Sequence, residues 1–383
     1  MRIALLTDGI QPYVIGGMQK HSFYVVKYLA MNGIYVDLYH TSQNKDYDIN
    51  KLEVFTEEEK KYITSYVVDF PSFGKMPGHY LRESYEYSIR IFKLFNNNSD
   101  VDFIYIKGFA GWKLLEEKKK GLKTAPVGIK FHGLNMFQKL PNFKGWLEAL
   151  LLRGPVKFNL RYADYMFSYG GKITDIAKQI GVPENKIIDI PTGIDPVWLS
   201  KPKQSTIPEG KRKFIFIGRY ERLKGIVELN AALKNILKTA VFEFHFIGPI
   251  PEKLKIKNEQ VIYHGIISDP EKIKTIIDTC DVLVCPSYSE GMPNVIIEAM
   301  SRSLAVIATD VGAVNCLVSE KNGWLLKKCS VEVIEKSLCQ TIEIGNDKLY
   351  KMKQNSYSQV KETLLWDKVA FNLISEIKKR IAK

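Results

Sequence analysis

The stretch from Asp281 to Met300 places the strongest constraint on how this chain can fold. Its first five residues, DVLVC, form an apolar run that is long enough for a buried strand and too short for a helix. Pro286, Gly291 and Pro293 interrupt the run and predict a loop, and from Asn294 the apolar residues recur at helical spacing. A strand, a loop and a helix in this order predict an open α/β sheet, which binds ligands at the carboxyl ends of its strands.

Two glutamates frame the end of this loop. Glu290 precedes the turn and Glu298 falls inside the predicted helix, so they could grip two parts of one ligand. Gly291 lets backbone approach a ligand closely, and the free N–H groups of a first helical turn favour an anion. For either glutamate alone, the simpler interpretation is that an acidic side chain near the start of the helix complements the helix dipole. Both glutamates together with Gly291 favour a ligand site.

Strands and helices alternate along the rest of the chain. Short apolar runs predict strands at 2–7, 34–40, 63–68, 103–106, 127–131, 165–168 and 187–190, and then at 213–217, 242–247, 261–263, 281–285, 305–309 and 324–326. Helical spacing of apolar residues predicts helices at 21–30, 80–94, 226–237, 271–279, 347–360 and 366–381, and residues 41–70 are otherwise charged and irregular. This alternation predicts two doubly wound α/β domains whose strand ends can face each other.

The length of 383 residues exceeds an ordinary single domain and predicts two. We expect an N-terminal domain at 1–197, a C-terminal domain at 198–365 and a terminal helix at 366–383. The segment 200–210, which carries lysines and prolines, is the predicted linker.

Composition excludes several classes of protein. An apolar fraction of 45% with 11% aromatic residues supplies a large core and argues against disorder. No run of about 18 apolar residues predicts a transmembrane helix, and the first residues, MRIALLTDG, fit a strand better than a signal peptide. The five cysteines are odd in number and form no CxxC pair, so neither a disulfide framework nor a zinc site is expected and a reducing cytoplasm is the default.

The net charge of +13 is concentrated in one segment. Residues 107–161 carry ten Lys and two Arg against three Glu, a local charge of +9. Such a surface can meet nucleic acid, anionic lipid or an anionic substrate. We do not expect nucleic acid, because the nearby aromatic residues do not fall on an exposed sheet face. Residues 135–162 read as a basic amphipathic surface that rests on an anionic membrane, or equally as a core-facing helix with solvated lysines.

Two further positions are candidates for a site. Gly16 and Gly17 lie between the first predicted strand and helix, where backbone N–H groups can reach a phosphate, although a loop that merely needs glycine flexibility is the competing interpretation. The GxGxxG and GxxxxGK[ST] patterns are absent, which disfavours nicotinamide and P-loop enzymes. His132 follows a strand and precedes Gly133, but a single histidine is more often structural.

The segments GGMQKH, KFHG, PTGID, GRYERLKG and SEGMPNVIIEAM, in this order and spacing, resemble the retaining glycosyltransferases of family four. The resemblance runs from Met1 to about Trp366, and its most specific part is the pair of glutamates separated by seven residues. It implies a GT-B fold, in which two Rossmann-like domains face a central cleft and the C-terminal domain holds a nucleotide-sugar donor. It also implies that the helix after Trp366 crosses back to the N-terminal domain.

The resemblance assigns roles residue by residue. Arg219 and Lys224 match the cations that bind the donor phosphates and stabilise the leaving diphosphate, and Gly17, after Gly16, matches a backbone donor to that diphosphate. Glu298 matches the residue that binds the ribose hydroxyls and Glu290 the one that contacts the transferred sugar. His132 matches a residue near the sugar on the acceptor side. The donor site is completed by Gly218 and by the turn of Gly291, Met292, Pro293 and Asn294, whose backbone N–H groups, absent only at the proline, are expected to hold the sugar and phosphate.

No cofactor and no metal are expected, because the two cations stabilise the leaving group and no Asp-x-Asp motif follows a strand. We take His132, Arg219, Lys224 and Glu290 as the catalytic candidates. Retention in the resembling family implies attack on the same face, with the leaving phosphate taking the acceptor proton, so no protein nucleophile is expected. Met292–Asn294 replace the usual Phe-Gly-x and Gln19 replaces a common Glu. These differences put the identity of the donor in doubt.

The sequence therefore predicts a metal-independent retaining hexosyltransferase of cell-surface glycan assembly, with a nucleotide-sugar donor and a glycan or lipid-linked acceptor. We expect it in the cytoplasm, or peripherally on the inner face of the cell membrane. An epimerase or phosphorylase of the same fold is an alternative, although no lysine is marked as a site for pyridoxal phosphate. A non-catalytic binder of nucleotide sugars is another, and it would not need all of Arg219, Lys224, Glu290 and Glu298.

Overall fold

A computed structural model describes residues 1–42, 51–74, 78–97, 100–199 and 210–382. These residues form two compact units. Unit 1 consists of Met1–Phe137, Trp146–Gly193 and Trp366–Lys383, and unit 2 consists of Gln138–Gly145 and Ile194–Leu365. The predicted domain limits remain predictions, and this grouping differs from them in assigning Gln138–Gly145 and 194–197 to unit 2. The predicted linker lies outside the described residues except for Gly210.

Unit 1 contains a parallel sheet with seven described strands in the order β3-β2-β1-β4-β5-β6-β7. Parallel sheets are covered on both faces, so their strands are apolar along their length, and β4 is buried at every position. The strands are β1 (Arg2–Leu6), β2 (Tyr35–His40), β3 (Ile63–Val67), β4 (Phe103–Lys107), β5 (Val127–Lys130), β6 (Tyr165–Ser168) and β7 (Ile187–Asp189).

Helices cover the sheet of unit 1. They are α1 (Gly17–Met31), α2 (Glu57–Lys60), α3 (His79–Asn96), α4 (Trp112–Lys119), α5 (Phe143–Tyr162), α6 (Lys172–Gln179) and the last helix, α12 (Trp366–Ile381). In the hydrophobic core, Trp366 and Leu373 of α12 join Val25 and Leu29 of α1. The Trp366 ring stacks on Tyr24 with ring centroids 5.4 Å apart.

Unit 2 contains a parallel sheet with six described strands in the order β10-β9-β8-β11-β12-β13. The strands are β8 (Arg212–Ile217), β9 (Phe242–Ile247), β10 (Val261–Tyr263), β11 (Val282–Cys285), β12 (Ala305–Thr309) and β13 (Gly323–Leu326). Its helices are α7 (Ile226–Ile236), α8 (Pro270–Asp278), α9 (Asn294–Ser301), α10 (Val331–Glu343) and α11 (Asn346–Thr363). No described helix of either unit is long and apolar enough to cross a bilayer.

The two doubly wound sheets predicted from the sequence are confirmed, and so is the strand, loop and helix from Asp281 onward. One expectation is wrong in part, because the segment 41–70 contains α2 besides its strand. Thr56 and Glu59 form a capping box there, with Glu59 N donating to the Thr56 hydroxyl at 3.3 Å. That reciprocal pair starts a helix in a charged sequence without an apolar stripe.

In each sheet the strand order reverses at one point, between β1 and β4 in unit 1 and between β8 and β11 in unit 2. Ligands of open α/β sheets bind outside the carboxyl ends of the strands at such a point. In unit 1 this position belongs to the loop from β1 to α1, which contains Gly16. In unit 2 it belongs to the loops that follow β8 and β11.

Candidate functional site

Two loops of unit 2 meet where the strand order reverses. One follows β8 and runs from Gly218 to Gly225, and the other follows β11 and runs from Pro286 to Pro293. Tyr288 N donates to the carbonyl oxygen of Leu223 at 2.8 Å. A Cβ atom on Gly225 would overlap with the carbonyl oxygen of Pro286, and its φ of +67° also favours glycine. The two loops are therefore fixed against each other by backbone contacts that require a glycine.

An ion pair between Lys224 and Glu290 joins these loops. Nζ of Lys224 lies 2.6 Å from Oε1 of Glu290, and the Ser287 hydroxyl donates to the same oxygen at 2.7 Å. The Glu290 side chain is 11% exposed and that of Lys224 is 31% exposed. Burial alone would lower the pKa of Lys224, but the Glu290 carboxylate outweighs it, so the pKa is raised above its ordinary value. Lys224 therefore presents a permanent positive charge at the carboxyl end of the sheet.

A second cluster of charged side chains, which was not predicted from the sequence, connects the same two loops. Nη1 of Arg222 lies 2.6 Å from both carboxylate oxygens of Glu228, and the Tyr288 hydroxyl donates to Oε1 of Glu228 at 2.8 Å. Burial acts to raise the pKa of Glu228, but the hydrogen bonds from Arg222 and Tyr288 outweigh it and lower that pKa. Glu228 lies in the first turn of α7, and an acid at that position is the signal that could have found the cluster.

Gly218 and Arg219 begin the loop after β8. The Arg219 side chain is 75% exposed, and its Nε lies 3.1 Å from Oε1 of Glu221. A Cβ atom on Gly248 would overlap with the carbonyl oxygen of Gly218, so this part of the loop packs closely on the loop after β9. The structure thus places Arg219 and Lys224 on one loop, with a guanidinium that an anion from solvent can reach.

The turn from Gly291 to Asn294 leads into α9. The carbonyl oxygen of Gly291 accepts from Ala313 N at 2.7 Å, and a Cβ atom on Gly312 would overlap with that oxygen. The preceding residue, Pro293, supplies no side-chain cap to α9, and the first N–H groups of a helix have no partner within it. Met292 is 3% exposed, so its side chain supports the turn from inside.

Glu290 lies in the loop and Glu298 within α9, as the sequence predicted. Glu298 is half-buried, and its carbonyl oxygen accepts from the Ser301 hydroxyl at 2.6 Å. The contacts of Glu290 with Lys224 and Ser287 were not predicted, because the first of them joins residues on two different loops. The assignment of Glu298 to a ribose and of Glu290 to a sugar remains a prediction.

In unit 1, Gly16 directly precedes α1 and Gly17 is its first residue. A Cβ atom on Gly16 would overlap with Oε1 of Gln19, and Gln19 is 8% exposed. The Gln19 side chain also hydrogen-bonds Asp8, whose pKa is raised by burial in spite of that bond and of the nearby Lys107. A glutamate in place of Gln19 would bring a second carboxylate to Asp8, which gives a physical reason for glutamine at this position.

His132 follows β5 in the same unit and is half-buried. Its Nδ1 lies 2.9 Å from the hydroxyl of Tyr169, and the two rings meet edge to face with centroids 5.6 Å apart. Tyr169 was not among the predicted site residues. The strand register could have revealed it, since Ile129 pairs with Met166 and three residues further along each strand lie His132 and Tyr169.

Two buried lysines lie at the carboxyl ends of β4 and β5, where the register pairs Lys107 with Lys130. Nζ of Lys107 lies 3.0 Å from Nδ1 of His21, and Nζ of Lys130 donates to the carbonyl oxygen of Ile190 at 2.8 Å. Burial lowers the pKa of Lys107 to about 7, although the charge of Asp8 opposes the shift. Burial also lowers the pKa of Lys130, and Lys107 adds to that effect.

The predicted site residues thus fall into two groups. Gly16, Gly17 and His132 belong to unit 1, and unit 2 brings together Gly218, Arg219, Lys224, Glu290 and the turn into α9 with Glu298. No group of three or more His, Cys, Asp or Glu side chains among the described residues could hold a metal ion. The independence from metals remains a prediction.

Two family models match the chain in succession. The model described as Glycosyltransferase Family 4 matches residues 15–198, and the model described as Glycosyl transferases group 1 matches residues 199–359. The boundary between the two matches lies next to the segment that was predicted to be the linker.

Two curated relatives are similar over part of the chain. TuaC of Bacillus subtilis, a glycosyltransferase assigned to teichuronic acid biosynthesis, is 32% identical over 136 residues, which are 36% of this chain and 34% of TuaC. The N,N'-diacetylbacillosaminyl-diphospho-undecaprenol alpha-1,3-N-acetylgalactosaminyltransferase of Campylobacter jejuni is 24% identical over 56% of this chain and 61% of that enzyme. The matched segments thus span less than two thirds of either relative.

The fold has solved counterparts over its whole length. Sucrose-phosphate synthase from Thermosynechococcus elongatus superimposes with a TM-score of 0.78 at 17% sequence identity, covering 100% of this chain and 99% of that chain. An identity this low carries information about the fold alone.

Proposed function

We propose, because this chain belongs to the glycosyltransferases of family 4 and has the GT-B fold, that it transfers a hexose-type sugar with retention of configuration. The donor is a nucleotide diphosphate-sugar, and the acceptor is a hydroxyl group on a lipid-linked or cell-surface polysaccharide intermediate. No metal ion takes part. The observation that carries the proposal is the Lys224–Glu290 ion pair at the carboxyl ends of β8 and β11.

The pair fits the charge that develops in such a reaction. When the bond between the sugar C1 and the diphosphate oxygen breaks, the diphosphate gains negative charge. An ammonium group has three N–H donors, so Lys224 can contact Glu290 and still donate to a phosphate oxygen. Its raised pKa keeps it charged, and Arg219 adds an exposed guanidinium on the same loop. Fixed cations of this kind stabilise a transition state without reorganising.

Glu290 and the turn into α9 then hold the sugar. The carboxylate of Glu290 is fixed through Oε1 by Lys224 and Ser287, which sets its orientation before a ligand arrives. In the proposed reaction it contacts hydroxyls of the transferred sugar, while Glu298 binds the ribose. The acceptor oxygen forms its bond to C1 on the face that the phosphate leaves, and the phosphate takes the acceptor proton. This step balances without a protein nucleophile.

An anionic membrane surface is the proposed second partner, through the basic segment 107–161. On α5, four apolar side chains that share one helix face are 43–53% exposed, namely Trp146, Leu147, Leu150 and Leu151. Lys157 and Arg161 follow on exposed positions of the same helix. Exposed apolar side chains beside cations suit the boundary between lipid headgroups and acyl chains.

A lipid-linked acceptor would be reached at that surface. The Campylobacter jejuni relative carries a diphospho-undecaprenol acceptor in its name, which supports this choice of acceptor for the present chain. The proposed location is the cytoplasm, with peripheral attachment to the inner face of the cell membrane.

A panel of nucleotide diphosphate-sugars tests the reaction. We expect one donor to be hydrolysed slowly by the purified protein, with release of nucleoside diphosphate and of a sugar that NMR first detects in the anomeric configuration of the donor. An excess of EDTA should leave the rate unchanged, because the cations that stabilise the diphosphate are side chains.

Three results would contradict the proposal. Isomerised nucleotide sugar without release of nucleoside diphosphate indicates an epimerase, and sugar 1-phosphate formed with inorganic phosphate indicates a phosphorylase. Binding of a nucleotide sugar in a thermal-shift assay with no turnover, in the presence of lipid and glycan acceptors, indicates a binding protein.

A further inference from the structure

Tyr169 and His132 lie side by side at the carboxyl edge of the sheet in unit 1. Strands β5 and β6 are parallel, and their register, with Gly128 opposite Tyr165, brings the residues that follow the two strands together. The hydroxyl of Tyr169 reaches Nδ1 of His132 at 2.9 Å. No sequence motif marks Tyr169 as a site residue.

The Tyr169 ring is held rigidly. The side chain is 2% exposed, and Nζ of Lys130 lies 3.8 Å from its ring centroid. Lys130 in turn donates to the carbonyl oxygen of Ile190 at 2.8 Å, and the ring of His21 meets that of Tyr169 edge to face at 6.0 Å. Tyr169 therefore has little freedom to turn its hydroxyl away from His132.

The direction of the hydrogen bond follows from counting protons. Among the described residues, the hydroxyl of Tyr169 has a single hydrogen-bond partner, Nδ1 of His132. If Nδ1 donated, the buried hydroxyl proton would have no acceptor in the described part of the chain, and an unpaired buried donor is costly. Burial also raises the pKa of Tyr169 far above its ordinary value, so the phenol keeps its proton and can donate.

We propose that Tyr169 is a positioning residue that donates to Nδ1 of His132, so that the neutral imidazole carries its proton on Nε2. In that tautomer Nε2 is a hydrogen-bond donor and not a base. His132 is therefore a hydrogen-bond donor through Nε2 and does not take the proton of the acceptor. The tautomer is a property of unit 1 alone. Only the identity of the group that accepts a hydrogen bond from Nε2 rests on the proposed function.

Nitrogen NMR on the full chain with labelled histidine tests the tautomer directly. The chain has six histidines, and the variant His132→Gln identifies the signals of His132 by their loss. At about pH 7, we expect the wild-type protein to show a protonated Nε2 and an unprotonated, hydrogen-bonded Nδ1. Tyr169→Phe should abolish the hydrogen-bonded Nδ1 signal and lower kcat/KM by roughly fivefold to tenfold, as the loss of one hydrogen bond predicts.

Tyr39→Phe is the matched control. Tyr39 is also fully buried in unit 1, and its hydroxyl has no hydrogen-bond partner among the described residues, so this variant loses the same atom without touching His132. Its His132 signals and kcat/KM should equal those of the wild type.

The proposal is overturned if His132 of the wild type carries its proton on Nδ1 or is an imidazolium at that pH. It is also overturned if folded Tyr169→Phe keeps the wild-type Nδ1 signal of His132. If Tyr169→Phe does not fold, the wild-type spectrum alone decides. These spectra need no substrate, so a wild type that turns over no donor would contradict the proposed function and leave the tautomer as a separate result.

Discussion

The proposed reaction makes two requirements of Lys224. Its side chain must remain charged, and it must be held in place. Glu290 meets both, since its carboxylate raises the pKa of the amine and fixes its position at 2.6 Å. Glu290 is fixed by Ser287 in turn. The three side chains form a preorganised group in which Lys224 is charged before the proposed donor arrives.

We expect Lys224→Ala to lower kcat for donor hydrolysis by about 10²–10³-fold, the range found when one preorganised donor to a developing negative charge is removed. Lys213→Ala is the matched control, because Lys213 forms an ion pair with Glu243 at 3.2 Å at the opposite end of β8. Initial rates with saturating donor measure the effect. If Lys224→Ala has a rate within twofold of the wild type, and the rate of Lys213→Ala is also unchanged, Lys224 does not belong to the donor site.

The sequence motifs proposed Lys224 and Glu290 for one candidate site, but the contact between them could not be predicted. Motifs mark Lys224 and Glu290 separately, 66 positions apart, and their pairing depends on β8 and β11 being neighbours in the sheet. The cluster of Arg222, Glu228 and Tyr288 depends on the same adjacency. Tyr169 could not be recognised without the register of β5 and β6.

At the scale of the element, α5 agrees in part with each of the two interpretations that the sequence left open, a surface helix and a core-facing helix. Val156 and Leu160 are buried within unit 1, whereas Leu147 and Leu151 are more than half exposed. The first half of the helix thus presents apolar side chains to solvent, and the second half packs inward and carries exposed cations. Neither a core helix nor a surface helix describes α5 alone.

We expect the double variant Leu147→Gln and Leu151→Gln to weaken binding to liposomes that contain anionic lipid by at least about tenfold, because burying one leucine side chain contributes about 1.5–3 kcal/mol. Ile266→Gln is the matched control, since Ile266 is 73% exposed in unit 2. Co-sedimentation measures the binding, which should also fall as salt screens the cations.

Absence of liposome binding by the wild type, or equal binding by the double variant and the control, would contradict the membrane proposal. It would leave the proposed transfer reaction untouched, because the Lys224–Glu290 pair that carries that proposal lies in unit 2.

Each end of each described strand lies within one residue of its predicted position. A buried parallel strand is a short apolar run, which makes its bounds visible in the sequence. Helices were harder to predict. α4 buries only Leu114 and Leu115 and is supported by ion pairs such as Lys113 with Glu117, so it has almost no apolar stripe. α10 has one, with Ile334 and Leu338 buried, and its spacing could have been recognised.

At the scale of the whole molecule, unit 1 is completed by a distant part of the chain. The Trp366 ring, 1% exposed, contacts His21 edge to face at 5.2 Å and stacks on Tyr24. A Cβ atom on Gly193 would lie 2.7 Å from Cδ2 of Trp366, closer than packing permits. The tryptophan therefore joins α1, α12 and the end of the segment that follows β7.

We expect Trp366→Ala to destabilise unit 1 by about 3–5 kcal/mol, the usual cost of removing a buried tryptophan side chain. Phe371→Ala on the same helix is the control, because Phe371 is 69% exposed. Calorimetry should show the transition of unit 1 at lower temperature while that of unit 2 stays in place. Equal transition temperatures for Trp366→Ala and Phe371→Ala would mean that α12 does not support the core of unit 1.

The placement of α12 has a consequence for how the protein is made. A ribosome completes Ile194–Leu365, the main part of unit 2, before it begins Trp366. Although unit 1 contains the amino terminus, its core still lacks Trp366, Val369 and Leu373 at that moment. The strands of unit 1 that are synthesised first can therefore complete their core only after α12 has been made.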